Sequence, residues 1–343
     1  MEAKIIESVR RRPGMYIGEM DIRGFKSILG YLFDELSKDS NTRSEIAVSF
    51  RKEDWIRIEA KKIDTKHFLR VLHSSDEDLI NFTYWGLPVL VALSEEITVK
   101  VTDFDFVANL SAKKGNFVIA TSALQQKKQS LTLDFKIDVE LFRPFEMNYE
   151  IVNQFIRKYA FINPGCKITS IDNRTKNIQK NIYNYPLGVS HHLDYEIGMQ
   201  FYGHPLLRLD LKTIIEEYSY QISFCYMDSW PSESKMTSFA DNKELMFGGS
   251  LIEGVLDGII ASVKKNHKGG EGDINIERRK IKEDLILVAA VKGENFVFSG
   301  SIKEKLEMPR MRRQIRKYIS SELTSHFHSQ PDVAKKFMDK FRK

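Results

Sequence analysis

The 343-residue sequence has only two cysteines, Cys166 and Cys225, far apart in the chain. That excludes a disulfide framework, and each thiol reads as a small buried apolar residue in a reducing compartment. Long apolar runs are missing, so no stretch suits a bilayer-spanning helix, and the N-terminus lacks the pattern of a secretory leader. A cytoplasmic protein with no membrane partner is the expectation. Strong charge of one sign is missing as well. With 52 Lys and Arg against 47 Asp and Glu, the balance permits a nucleic-acid partner without demanding one. Internal repeats and low-complexity linkers are absent.

What is present suits packed cores. Hydrophobic residues make up 42% and charged residues 29%, which argues against global disorder. The length points to two domains. The spacing predicts a short helix over 2–12, punctuated by Pro13-Gly14. "GFKSILGYLFDEL" from Gly24 has one apolar helical face, through Phe25, Ile28, Leu29, Leu32, Phe33 and Leu36. "SEIAVSF" and "WIRIEA" alternate around "RKED" as a β-hairpin, and "LPVLVALSEEITVKV" reads as a helix running into a strand. "FVIAT" and "LTLDF" add strands. The N-terminal half is therefore α+β, a sheet with helices on one face.

A second unit is expected from residue 148. It opens on the amphipathic helix "NYEIVNQFIRKYAFI", with a strand in "CKITSID" and a helix in "VSHHLDYEI". "LRLDLK", "YQISFCYMD" and "KMTSFAD" supply strands. "GGSLIEGVLDGIIASVKK" is a strong helix with Leu251, Val255, Ile259 and Ile260 on one face. The continuous apolar run of "DLILVAAVKG" marks a buried strand. "MRRQIRKYISSELTSHF" is a helix, and residues 331–343 form a basic, helical tail.

Several stretches resemble, in order, the ATPase region of the B subunits of bacterial type IIA topoisomerases. "VRRRPGMYIG" is similar to the family's "R-K-R-P-G-M-Y-I-G" entrance, and Gly86–Val101 resembles the helix and strand after its glycine-rich lid. "KIDVELF", "YAFINPGCKI", "SFADNKELMFGGSLIEGV" and "FSGSIKEKL" resemble successive segments up to the end of the transducer domain. The family's metal-binding cleavage domain has no counterpart here. The resemblance implies a Bergerat-type (GHKL) α/β sandwich over 1–147, then a transducer domain over 148–330 with the family's left-handed βαβ-type fold. It implies ATP and Mg²⁺ as the family's cofactors.

The family's reactive positions fare badly in this sequence. Its general base, a glutamate, falls at Tyr31, and a phenol with a pKa of about 10 is no base at neutral pH. Its magnesium-binding asparagine falls at Glu35, and Asp34 keeps the preceding acid. The loop of its adenine-reading aspartate is "AKKID", with no aspartate in place and no glycine, and its adenine-flanking "G-T" is Ser130-Leu131. The phosphate-wrapping lid is reduced to "YWGLP", with Gly86 its last glycine. Lys303 falls on the transducer lysine that reaches the γ-phosphate, beside Ser301 and Ile302, but with the phosphate cradle missing it reads first as a solvated loop lysine.

Three readings follow. One is a binding or regulatory module with no nucleotide cofactor, acting on DNA or on a topoisomerase subunit. Another is a divergent ATPase, using ATP and Mg²⁺ with Glu35 or Asp34 in place of the lost base and closing on Lys303. The third is a pocket that takes another ligand or is plugged by Tyr31, Tyr84 and Trp85. Residues 301–343 hold 12 Lys and Arg against 5 Asp and Glu. Within them Arg310, Arg313 and Lys317 form one helical row, and Arg312 and Arg316 a second. The family's transducer lines a DNA cavity, so these five are candidate phosphate contacts, with a solvated helix face as the alternative. Only seven residues precede Ser8, so an arm-swapped ATP clamp is not expected, while a homodimer formed otherwise stays open. "EGD" at 271–273 reads as a loop, and His191, His192, His326 and His328 as structural or surface residues, with no carboxylate partner placed beside them.

Overall fold

The computed structural model describes residues 3–37, 44–73, 86–142, 147–200, 204–228, 234–267, 276–299 and 305–341. They fall into two compact units, Met1–Pro186 and Leu187–Lys343.

The first unit runs α1 (Ala3–Arg11), α2 (Gly14–Ile17), α3 (Ile22–Ser37), β1 (Glu45–Phe50), β2 (Trp55–Lys61), α4 (Thr65–His73), α5 (Gly86–Leu93), β3 (Ser94–Thr102), β4 (Phe106–Lys113), β5 (Asn116–Ala123), β6 (Ser130–Ile137), α6 (Tyr149–Ile162), β7 (Lys167–Asp172) and β8 (Gln179–Tyr183). The eight strands form one sheet in the order β5-β4-β3-β6-β2-β1-β7-β8. Every neighbouring pair is antiparallel except β1 and β7. Alternation fixes two faces. Ile46, Val48, Ile56, Ile58, Val99, Leu131, Leu133 and Phe135 share one apolar core with residues of α1, α3, α4, α5 and α6. The opposite face carries charge, including Arg57 held by three bonds to Asp134 across β2 and β6. Helices on one face are what the sequence predicts.

Residues 148–186, assigned from sequence to the second half, are built into the first unit. β7 continues the sheet from β1, and Phe33 of α3 meets Tyr159 of α6 edge to face. The apolar pattern identified these elements, but their partners lie more than a hundred residues away. α1 ends at Arg11, just before Pro13 as expected, and Pro13 is also the N-cap of α2, where its missing amide costs nothing.

The second unit contains α7 (Val189–Gln200), β9 (Pro205–Ile215), β10 (Tyr218–Met227), β11 (Lys235–Ala240), β12 (Lys243–Glu244), α8 (Ser250–Asn266), α9 (Arg278–Lys282), β13 (Leu285–Lys292), β14 (Phe298–Ser299), β15 (Lys305–Leu306), α10 (Pro309–Ser329) and α11 (Pro331–Asp339). Its five-stranded sheet has the order β12-β11-β13-β10-β9. β11 and β13 are parallel and joined through α8, a βαβ crossover. β13 is buried from Leu285 to Val291, as its unbroken apolar run requires. Leu285, Leu287, Ala289 and Val291 share a core with α8, α10 and α11. The tail segment is no loose extension, because Phe337 of α11 is buried against Phe327 and Tyr226.

α8 and α10 approach closely because Gly254 and Gly258 lie one turn apart. A methyl on Gly258 would fall 2.6 Å from Ile319 Cβ and 2.9 Å from the Arg316 carbonyl oxygen. Leu251, Val255 and Ile259 are buried as expected, whereas Ile260 is half-buried. Ser262 and Thr324 close the helix pair with a hydroxyl–hydroxyl bond of 3.0 Å. Alanine at 258 would gain about 1 kcal/mol of helix propensity, but overpacking against a fixed carbonyl costs about 1–3 kcal/mol. Gly258→Ala is therefore expected to lower the urea midpoint, and Gly258→Val to lower it further.

Candidate functional site

The apolar sequence of α5, GLPVLVAL, is buried at every position. A helix so placed cannot leave its end groups to water. Glu35, on α3 and itself buried, takes the N-terminal end. Its Oε1 accepts the Gly86 N–H at 2.8 Å and its Oε2 the Leu87 N–H at 3.3 Å. The third residue, Pro88, has no donor. A carboxylate at this end also opposes the positive pole of the helix dipole. Gly86 permits the approach: an added Cβ would lie 3.0 Å from Leu32 Cα and from the Glu35 carboxyl.

The C-terminal end is closed with equal care. Arg10, in the opening "RRR", donates to the Ala92 carbonyl at 2.7 Å and to Asp138 Oδ2 at 2.7 Å. Ser94 Oγ donates to the Leu90 carbonyl at 2.6 Å, and the Asp138 amide to Leu93 at 3.0 Å. Asp138 is 1% exposed, so the Arg10 guanidinium is its compensating charge. Sequence reasoning missed this role of Arg10. Its partners lie 82 and 128 residues on.

The other two family positions on α3 are also engaged. Tyr31 is 40% exposed, and its hydroxyl donates to the Tyr16 carbonyl at 3.1 Å. Burial of the ring and the charge of Asp34 push its pKa above the ordinary phenol value, so it stays protonated at neutral pH. Asp34 accepts a 3.0 Å bond from Tyr159 of α6. Burial, then the charge of Asp34, drives the Tyr159 phenol well up, which keeps it a donor.

The structure brings together the two stretches that would flank adenine. Ala60 of the "AKKID" stretch pairs with Leu131 across β2 and β6, and both are buried. Leu131 has no hydroxyl, and no side-chain acceptor stands at either position. Nearby, the buried Asp103 accepts from Thr65 Oγ1 at 2.6 Å and from Gln129 Nε2 at 3.3 Å. Burial alone would raise its pKa, but these bonds and the Phe104 amide hold it below the usual carboxylate value. Lys303, Ser301, Ile302, Tyr84, Trp85 and the 271–273 stretch lie outside the described residues.

The basic stripe on α10 is divided. Arg310 pairs with Glu216. Arg312 donates to Asp257 at 2.6 Å, with Glu253 of the same helix nearby. The Asp257 bond raises the Arg312 pKa first and its charge adds to that, so Arg312 ties α10 to α8. Arg313, Arg316 and Lys317 are exposed. Among the described residues no ion pair engages these three.

His192 is a correction to the sequence expectation, since it does have a carboxylate partner. One helical turn along α7, Glu196 lies 3.2 Å from its Nε2, and Lys235 reaches the other Glu196 oxygen at 2.5 Å. Burial opposes ionisation of Glu196, but bonds from His192 and Lys235 outweigh it and lower the pKa. Among the described residues no group of three or more His, Cys, Asp or Glu could hold a metal ion.

The fold has clear structural relatives. The B-subunit of the DNA gyrase from Myxococcus xanthus superposes with a TM-score of 0.80 at 16% identity, over 97% of this chain and 99% of that one. The 43K ATPase domain of Thermus thermophilus gyrase B, determined with an aminocoumarin, gives 0.79 at 17% identity, over 98% and 94%. The architecture is thus that of a gyrase B ATPase region. Among curated proteins, the DNA gyrase B protein of Clostridium acetobutylicum is 25% identical over 98% of this chain and 56% of its own length. The type 2 topoisomerase B protein of Aquifex aeolicus is 24% identical over 98% and 45%. The chain spans about half the length of these relatives. A family model described as DNA gyrase B matches residues 171–343, just over half of the sequence, and the chain belongs to the DNA gyrase B family.

Glu35→Ala would strand two buried amides, each costing about 1–3 kcal/mol. Glu35→Gln keeps an acceptor and should lose less. Urea unfolding followed by far-UV circular dichroism is expected to rank wild type above Gln above Ala.

Proposed function

We propose that this chain is a gyrase-B-type ATPase region that has given up nucleotide turnover and acts as a cytoplasmic binding or regulatory module, on DNA or on a topoisomerase subunit. One observation carries the reading. The carboxylate of Glu35 lies on the two amides that open α5, where the family's lid presents backbone donors to phosphate. A triphosphate and this carboxylate would compete for the same donors and repel one another. The remaining groups support the same conclusion. Tyr31 cannot take a proton from water, Asp34 is engaged by Tyr159, and Ala60 and Leu131 offer adenine neither acceptor nor hydroxyl. The residues present do not fit a magnesium nucleotide.

Calorimetric titration of the full chain with a non-hydrolysable ATP analogue and Mg²⁺ tests this. No saturable heat is expected up to about 1 mM analogue, a ceiling of about 4 kcal/mol in binding free energy. Micromolar binding weakened by Lys303→Ala, with phosphate release lost in Glu35→Ala, would establish a divergent ATPase instead.

DNA contact rests on Arg313, Arg316 and Lys317, with Arg310 and Arg312 engaged by their own acids. Binding of a labelled duplex, followed by anisotropy, should fall steeply with salt. Reversing the three exposed cations should flatten the slope of log affinity against log salt by about 0.9 for each phosphate no longer neutralised. An unchanged slope would remove DNA from the proposal.

A further inference from the structure

Away from the α3–α5 site, two turns of the first unit line an open surface cleft of about 770 Å³. One is the β1–β2 turn and the other follows β7. Its volume lies within the range of small-molecule sites, and its walls are of two kinds. Trp55, partly exposed, and Ile178, 62% exposed, are apolar. Arg51, Lys52 and Lys176 are cationic, and the exposed Glu53 is the one acid lining it.

The frame of this cleft is fixed. Glu53 and Asp54 both have positive φ, 58° and 60°, a left-handed pair that side-chain-bearing residues adopt at a cost of about 1–3 kcal/mol each. The Arg51 amide closes the turn on the Trp55 carbonyl at 2.8 Å. On the other side Arg174 is bound to Asp172 through two nitrogens and to the Met147 carbonyl at 2.6 Å, and Thr175 Oγ1 donates to the Asn177 carbonyl. The Asn173 amide bonds the Phe50 carbonyl at 2.8 Å, lacing the two turns together.

Charge in the cleft is not cancelled. Arg51 shares the carboxylate of Asp134 with Arg57, and the lining holds three cations, Arg51, Lys52 and Lys176, against one acid, Glu53. Among the described residues Lys52 and Lys176 have no ion pair. An indole beside cations is the pairing that holds a nucleobase by stacking and its phosphate by charge.

We propose that this cleft binds a nucleobase joined to phosphate, with the base on Trp55 and the phosphate on Arg51, Lys52 and Lys176. No residue of α3, α5 or α10 lines it. Its source is either a free nucleotide or a single strand of nucleic acid.

The test uses the full chain with Arg313, Arg316 and Lys317 reversed to glutamate, so that α10 cannot contribute. Fluorescein-labelled (dA)₈ is titrated by anisotropy, and unlabelled AMP is the competitor. Saturable binding is expected, weakened at least about tenfold, with a flatter salt slope, by Lys52→Glu with Lys176→Glu. Trp55→Leu should weaken it while leaving the slope unchanged, because stacking releases no counterions. Displacement by AMP identifies a free nucleotide as sufficient, whereas octamer binding that AMP does not displace identifies a strand. No binding of either probe, or binding untouched by the lysine reversals in a chain folded by circular dichroism, overturns the proposal.

Discussion

One buried helix, closed by a charge at each end, organises the first unit. α5 has no polar side chain and no access to water, so its terminal amides and carbonyls must find partners inside the protein. A carboxylate from α3 and a guanidinium from α1 supply them, each with the sign that the helix dipole favours. These contacts tie α1 and α3 to α5 and, through Asp138, to the residue that follows β6. Opening either end would leave unsatisfied backbone groups in a low-dielectric interior, a cost of the same order as much of a domain's net stability.

That arrangement makes the N-terminal end of α5 a closed one. Glu35 of α3 is the anion at this helix's N-terminus. The carboxylate satisfies two buried donors that would otherwise stand unpaired in the interior.

Legibility in the sequence followed distance along the chain. The apolar spacing of α3, α8 and α10, the hairpin of β1 and β2, and the unbroken run of β13 were all readable, because each depends on near neighbours. α4, β4 and β8 were not identified. β8 is short and mostly exposed, and "FVANLSAK" carries small polar residues that blur the alternation of β4. Tyr31 and Glu35 were found by position, but not what Glu35 does, since its partners lie 51 and 52 residues on. Arg10 was visible only as part of a motif. The His192–Glu196–Lys235 cluster was missed, although Glu196 lies one helical turn from His192, and Lys235 comes from a distant strand.

The parallel join between β1 and β7 sets where the first unit can be cut. A recombinant fragment stopping at residue 147 would lose α6, β7 and β8, leaving β1 as an open strand edge and Phe33 without its aromatic neighbour. Bare edges of this kind invite intermolecular pairing and precipitation. A fragment carried through Pro186 retains the whole sheet, so that later end-point is the one at which limited proteolysis should find a soluble piece.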